Sequence, residues 1–358
     1  MKLRFLFFSL MFSFSILSAG AQPNPSQVLV VQNSTSADSV RIASEYMRKR
    51  KIPPQNLITL TVPDKDTVNE IYLKKSIQDP IKAHIKAKKL KIDFIVLTRG
   101  MPYIIEGSAQ NAFSLDSTLG MMDFTLLETR TQNPYFAKTT SFSHDKFGNY
   151  LVSRLDGYTL KDCLALIDRS LSARPLRGPF LMVSDNDKDK GGYKPWNDST
   201  KRAHAVLIGK KMDAQMGNGF VFKGAEEPLM GYASWGSNDS HYKAEVYRKI
   251  KFLPGAIAET AVSSSGRTLR DPKQPGQSLI ADLIAQGVTG CKGYVSEPYV
   301  DSISYPDIVF DRYTDGFSIV ESLYMGSYYV NWKDVIIGDP LCAPYAKPTL
   351  APKKAPKK

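Results

Sequence analysis

Two short stretches carry residue types that could do chemistry. "LMGYASWGSND" (Leu229–Asp239) reads as an apolar strand that stops in a tight turn at Trp235 and Gly236. "GAIAETAVSSSG" (Gly255–Gly266) reads as a second apolar strand that stops in Ser263, Ser264 and Ser265. Open α/β sheets place their sites in such turns, outside the carboxyl ends of the strands. A hydrolytic pair there would need a nucleophile and a base to take its proton. The second turn has hydroxyls, and the first has an indole, which cannot take a proton. His241 follows on the next loop with Asp239 nearby, and a Ser–His–Asp group is recognised by geometry rather than by order. Ser263, Ser264 and His241 are therefore the catalytic candidates. The plainer reading is that serines at a strand end bond their own turn.

"SDNDKDKGGY" sets Asp185, Asp187 and Asp189 at alternate positions before two glycines. Carboxylates so spaced can converge on Ca2+. Lys190 and Trp196 stand where an EF-hand needs its glycine and its glutamate, so the loop is not an EF-hand, and a hydrated acidic turn is the simpler reading. Nothing else calls for a cofactor. The strand-end rule also selects Asn33, Ser34, Arg99, Gly100, Ser184, Ser296 and Glu297. Arg99, Trp235 and Glu297, with Asp116 of "FSLDSTLG", would form a polar binding pocket at one edge of the sheet, where an indole beside carboxylates holds a peptide or a sugar. The competing roles are structural: Arg99 pairs with a carboxylate behind the sheet, and Asp339 makes a turn before Pro340.

The elements that must position these residues alternate. "SQVLVVQNSTS", "NLITLTV" and "DFIVLTRG" read as buried strands, separated by a helix with Val40, Ala43 and Met47 on one side and by a basic helical stretch, Asp66 to Lys89. Continuous Val/Ile/Leu strands between amphipathic helices argue for a parallel sheet covered on both faces. The expected fold is α/β, a doubly wound, mostly parallel sheet with helices on both faces and an inserted loop-rich segment. A first βα half spans 22–105, an insertion or lid rich in Ser, Thr, Asn and Phe spans 106–150, and a second βα half spans 151–345. The second half contains strands at "GPFLMVSDND" and "CKGYVSEPY", helices at "TLKDCLALIDRSLSA" and "SLIADLIAQGVTG", and a final helix over "GFSIVESLYMGSYYV". The two halves pack as one domain, and 346–358 is a basic tail of disordered type.

The opening "MKLRFLFFSLMFSFSILSAGAQ" has the charge, apolar core and small-residue order of a secretory signal peptide, with cleavage expected after Ala21. That order predicts a periplasmic, secreted or cell-surface protein with no transmembrane anchor. The cysteines are Cys163, Cys291 and Cys342. An exported small domain would use more of them, in pairs, so the fold does not depend on disulfides, although a Cys291–Cys342 bridge stays open. The net charge of +12 is spread over helix faces and the tail, which argues against a nucleic-acid site.

The second half resembles the caspase-like fold of gingipain-type cysteine peptidases, in which one strand ends in a His-Gly turn, a later one in the nucleophilic Cys, and a "GDP" motif follows. "YASWGS", "AVSSSG" and "VIIGDPL" occupy those places. The resemblance implies a protein with both halves of the catalytic dyad replaced, by Trp235 and Ser263. The whole chain also resembles a family of secreted bacterial proteins of unknown function, through "VLVVQNSTSADSV", "IDFIVLTRGMPY", "LVSRLDGYTLKDCLALID", "LPGAIAE", "GYVSEPYV" and "IIGDPL". The expected function is binding of a peptide, glycan or envelope component at the former active-site face. The alternatives are an exported hydrolase with a serine-based mechanism, and an envelope scaffold or interaction protein.

Overall fold

A computed structural model describes residues 22–107, 111–124, 129–217 and 219–347. The expected signal segment, parts of the insertion (108–110 and 125–128) and most of the basic tail lie outside the described residues. Ten strands form one sheet. In chain order they are β1 (Val28–Asn33), β2 (Leu57–Leu60), β3 (Phe94–Thr98), β4 (Leu151–Leu155), β5 (Phe180–Met182), β6 (Ala214–Met216), β7 (Leu229–Ser234), β8 (Phe252–Thr260), β9 (Gly290–Tyr294) and β10 (Asp334–Ile337). Across the sheet the order is β6–β5–β7–β8–β9–β10–β4–β3–β1–β2. The helices that cover it include α1 (Ala37–Arg50), α2 (Asp79–Lys88), α3 (Leu115–Leu119), α4 (Leu160–Ser172), α5 (Lys194–Gly209), α6 (Ile280–Ala285), α7 (Pro306–Thr314) and α8 (Ile319–Gly326). The fold is thus the expected α/β type, a large and mostly parallel sheet with helices on both faces.

The central strands are buried along their whole length because both faces are covered. Every residue of β3, β4, β7 and β9 is buried. Gly290 and Gly293 show how close the covering layers come. A Cβ at Gly293 would lie 2.8 Å from Ile280 of α6, and one at Gly290 would lie 2.1 Å from Ile319 of α8. The two positions are an odd number of residues apart, so they face opposite sides of the sheet.

Neighbouring strands are parallel at every pairing but one: β9 runs antiparallel to β10, with Tyr294 opposite Asp334 and Cys291 opposite Ile337. Because β10 is parallel to β4, β1 to β4 and β10 point one way and β5 to β9 point the other. The carboxyl ends of β1 to β4 and β10 therefore open at one edge and those of β5 to β9 at the opposite edge. The strand-end residues named from the sequence divide accordingly. Asn33 and Arg99 lie at one edge, while Ser184, Ser234, Ser263 and Ser296 lie at the other.

Three local expectations change. On α1 the buried face is Ser39, Ile42, Ala43 and Tyr46, and Val40 is exposed, because the helix turns its aromatic residue inward. The expected final helix over 316–330 shortens to α8, which starts at a Ser318–Glu321 capping box and ends at Gly326, and a helix not expected from the sequence, α7, precedes it with Pro306 in its first turn. Cys291 and Cys342 are not bonded to each other. All three cysteines are free, buried thiols, and burial pushes their ionisation up.

Asp339 is more than a turn residue. Its fully buried carboxylate accepts hydrogen bonds from the Tyr46 hydroxyl at 2.6 Å, Arg50 Nε at 2.6 Å, the Ser170 hydroxyl at 2.8 Å and the Leu341 backbone N–H at 2.9 Å. It joins α1 and α4 to the end of β10. Replacing it leaves Arg50 without its partner in a largely buried position. Asp339→Ala should lower unfolding stability by about 3–5 kcal/mol, with Asp339→Asn recovering part of the loss. A urea titration giving less than about 1 kcal/mol for the alanine variant would show that the cross-link is not structural.

Candidate functional site

Strands β7 and β8 are parallel neighbours, with Ser234 opposite Thr260, so the two turns of interest stand side by side. Side-chain amides tie them together. The Ser264 N–H and hydroxyl both donate to Gln277 Oε1, at 2.9 and 2.8 Å. Gln277 Nε2 donates to Asn238 Oδ1 at 2.8 Å, and Asn238 Nδ2 donates to the Ala261 carbonyl at 2.8 Å.

Trp235 does not present its indole to solvent. It is 1% exposed, lies edge-on to Trp196 with ring centroids 4.8 Å apart, and donates its N–H to Asn197 Oδ1 at 2.8 Å. Apolar area drives the ring into a small core cluster with Trp196, Tyr294, Ala261 and Ile303. The expected stacking face is used up inside the protein.

His241 does not line the cleft that contains Ser263 and Ser264. Its ring lies with Asp185 and Asp187, their ligand-type atoms all within 4.8 Å of one another. Asp189 is not part of that group. It is held by Lys201, with Nζ 2.7 Å from Oδ1, and by Asn197 Nδ2 at 2.6 Å. The expected set of three aspartates is thus corrected to two aspartates and a histidine. Asp185 already accepts from the Asp187 N–H at 2.9 Å, the Ser240 N–H at 2.9 Å and the Ser240 hydroxyl, which is how a side chain caps its own turn.

The expected pocket of Arg99, Asp116, Trp235 and Glu297 does not assemble: the reversal of the sheet puts Arg99 at the opposite edge from Trp235 and Glu297, and Trp235 and Asp116 are buried. Arg99 sits at the far edge, where Nε is 3.2 Å from Asp38 and Nη1 is 3.6 Å from Asp156. Asp116, in the first turn of α3, is buried, with Arg154 Nε 3.5 Å from Oδ2 and no hydrogen bond to either oxygen. Glu297 is exposed at the second-half edge, and its Oε1 accepts the Tyr299 N–H at 2.9 Å.

At that edge lies a cleft of about 540 Å³, lined by Asn111, Ser263, Ser264, Gln277, Ser296, Glu297, Tyr299, Trp332 and Lys333. Its floor is the turn after β8, and one wall is the segment after β9. The other wall comes from Trp332 and Lys333, which precede β10 and reach this edge because β10 starts where β9 ends. Trp332 donates its indole N–H to the Pro298 carbonyl at 2.9 Å, meets Phe113 edge-on at 5.6 Å and lies nearly parallel to Tyr299, with centroids 6.3 Å apart and planes at 19°. Lys333 is buried. It donates to the Ala112 carbonyl at 2.7 Å and lies 4.6 Å from the ring centroids of both Phe113 and Trp332. Burial pulls its ionisation down, and the Glu297 charge opposes that.

Tyr299 is the strained member. Its φ is +66°, which bulky residues adopt rarely and at a cost. Its ring is 57% exposed. Sequence reasoning missed Tyr299 and Trp332, because the strand-end rule looks only at carboxyl ends. "EPY" after a strand and "NW" before one carry no other signal.

The architecture is α/β, a large and mostly parallel sheet with helices. A solved structure described as "Structure of Protease" is similar to this chain with a TM-score of 0.51, at 11% identity, covering 90% of this chain and 79% of that one. At that identity the likeness concerns the fold alone. No family model matches the chain, and no curated protein does.

The buried Asp116 makes a pH prediction. Burial pushes its carboxyl up to about 7, with Arg154 opposing and Asp156 adding to the shift. The folded state then binds a proton that the unfolded chain, with an ordinary carboxylate near 3.9, has released. The contribution of Asp116 to stability is therefore largest at low pH and is lost as pH rises through about 7. Melting temperatures at pH 5 and pH 8 should differ less in Asp116→Asn than in the wild type. An unchanged difference would rule out this origin.

Proposed function

We propose that this chain is an exported binding protein on a protease-like fold. It holds its ligand in the cleft between the Ser263–Ser264 turn and the Glu297–Tyr299 segment and does not cut it. The observation that carries the reading is the company the serines keep. The Ser264 hydroxyl is spent on an amide oxygen, and no histidine or aspartate lines the cleft among the described residues. Lys333 donates to a backbone carbonyl, and the one carboxylate, Glu297, is engaged with Tyr299 N–H. A serine without a base at hydrogen-bonding distance is a poor nucleophile. The resemblance of the second half to gingipain-type peptidases fits this reading, with Trp235 and Ser263 in the dyad positions. What remains is a polar cleft with a half-buried indole and an exposed phenol, the mix that binding sites use. The charge and apolar order of residues 1–21 supports export. Among the described residues no helix is long and apolar enough to cross a membrane. The proposed role requires no cofactor.

Purified protein should not react with a fluorophosphonate probe and should not cleave peptides containing Arg or Lys. Labelling that Ser263→Ala or Ser264→Ala abolishes would overturn the reading in favour of a serine hydrolase. Cleavage that iodoacetamide blocks would instead favour a cysteine mechanism.

A further inference from the structure

We infer that the ligand of this cleft is a neutral oligosaccharide several rings long, which runs across Tyr299 from the first cleft into a second one. The inference rests on the binding role proposed above and names its ligand class. The second cleft, about 620 Å³, is lined by Arg130, Gly192, Tyr193, Tyr299, Val300 and Asp301. Tyr299 lines both clefts, which places its phenol ring between them. Each part has the volume of a site for a small ligand, and together they suit a chain of linked units.

Four observations select a sugar. The first is exposed aromatic surface. Tyr299 and Tyr193 are 57% and 45% exposed, and both line the second cleft. The C–H face of a pyranose ring is apolar, so it covers such a ring while its hydroxyls stay outward. The second is rigidity. Tyr299 is fixed in a positive-φ conformation, with its N–H bonded to Glu297 and its carbonyl accepting the Ser302 N–H at 3.1 Å. The Arg130 guanidinium lies 5.2 Å from the ring centroid. A platform ordered in advance costs the ligand little entropy.

The third observation weighs against an extended peptide. One common way for an extended peptide to bind is to add a strand to a free sheet edge. Here β8, β9 and β10 are each paired on both sides, and the cleft sits beyond strand ends, so no backbone ladder is on offer. The polar groups of the groove are side-chain amides and hydroxyls with two carboxylates, Glu297 and Asp301, and two cations, Arg130 and Lys333, a mixture that suits a hydroxyl-rich ligand. The fourth is charge. Arg130 is neutralised by Asp301, and Lys333 lies in the same cleft as Glu297. The groove has no single-sign cluster to attract a phosphorylated or strongly acidic polymer.

The test is a side-by-side array of immobilised neutral oligosaccharides and unmodified peptides, probed with the full chain and with Tyr299→Ala and Tyr299→Phe. Melting temperatures of all three proteins control for folding. The expected result is retention on oligosaccharides of three or more rings, about tenfold weaker for Tyr299→Ala and preserved for Tyr299→Phe, with monosaccharides scarcely bound. Retention only on peptides, lost in Tyr299→Ala, would overturn the sugar assignment and leave the binding role standing. Retention on neither would overturn both. Equal retention of the wild type and Tyr299→Ala on sugars would remove Tyr299 from the site and overturn the groove.

Discussion

The antiparallel pairing of β9 with β10 governs most of what this protein can do. A sheet whose strands all ran one way would open every carboxyl end at one edge. The reversal at Tyr294 and Asp334 splits those ends between two edges and brings the start of β10 beside the ends of β7, β8 and β9. Trp332 and Lys333 reach the cleft for that reason alone. A buried polar group supports the junction. Lys292 of β9 donates to Ser304 at 3.0 Å and Ser327 at 2.7 Å, and its Nζ is 3.5 Å from Asp334 at the head of β10. On the neighbouring strand Glu259 stands opposite Lys292 and accepts the Tyr294 hydroxyl. A lysine in such a place requires satisfied partners, which only the reversed strand and the segment around α8 provide together.

The same local satisfaction marks the two turns after β7 and β8. A catalytic pair needs a base that is both near the nucleophile and free to take a proton. Here the residue after β7 is an indole locked into the core by Trp196 and Asn197. The turn after β8 is tied to Gln277 and Asn238, and the histidine of the next loop faces Asp185 and Asp187. The Trp235 indole and the Ser264 hydroxyl are thus satisfied locally. The surface that remains unsatisfied is aromatic and lies at Tyr299 and Trp332, with the strain of Tyr299 concentrated where contact with a ligand would be made.

Much of the fold was legible. The runs "VLVV" and "FIVLT" declare strands covered on both faces, and "LKDCLALIDRSLS" behind Thr159 declares a capped helix, because apolar period and cap are local properties. The turns after β7 and β8 were marked as strand ends, and the parallel pairing of those strands sets them side by side. The reversal was not legible, since "DVII" reads the same in either direction and only the tertiary pairing sets its sense. Burial misled at Trp235: glycine and serine around it signal a turn, and nothing local reports that Trp196, many residues earlier, waits beneath. The acidic loop failed for a similar reason, as Lys201 and Asn197 come from α5 to claim Asp189. The cleft was half legible. Ser263, Ser264 and Glu297 were marked by their strand ends, whereas Tyr299 and Trp332 became visible only in three dimensions.

The three tryptophans offer the most direct measurement, because they report from different places. Trp196 and Trp235 are packed against each other in the core, and only Trp332 lines the cleft. In 15N-labelled protein the three indole N–H resonances can be followed while a neutral oligosaccharide of three or more rings is added. The account predicts that the Trp332 resonance moves with saturation while those of Trp196 and Trp235 stay in place. Movement of the Trp235 resonance with Trp332 unchanged would contradict it and return the site to the turn after β7.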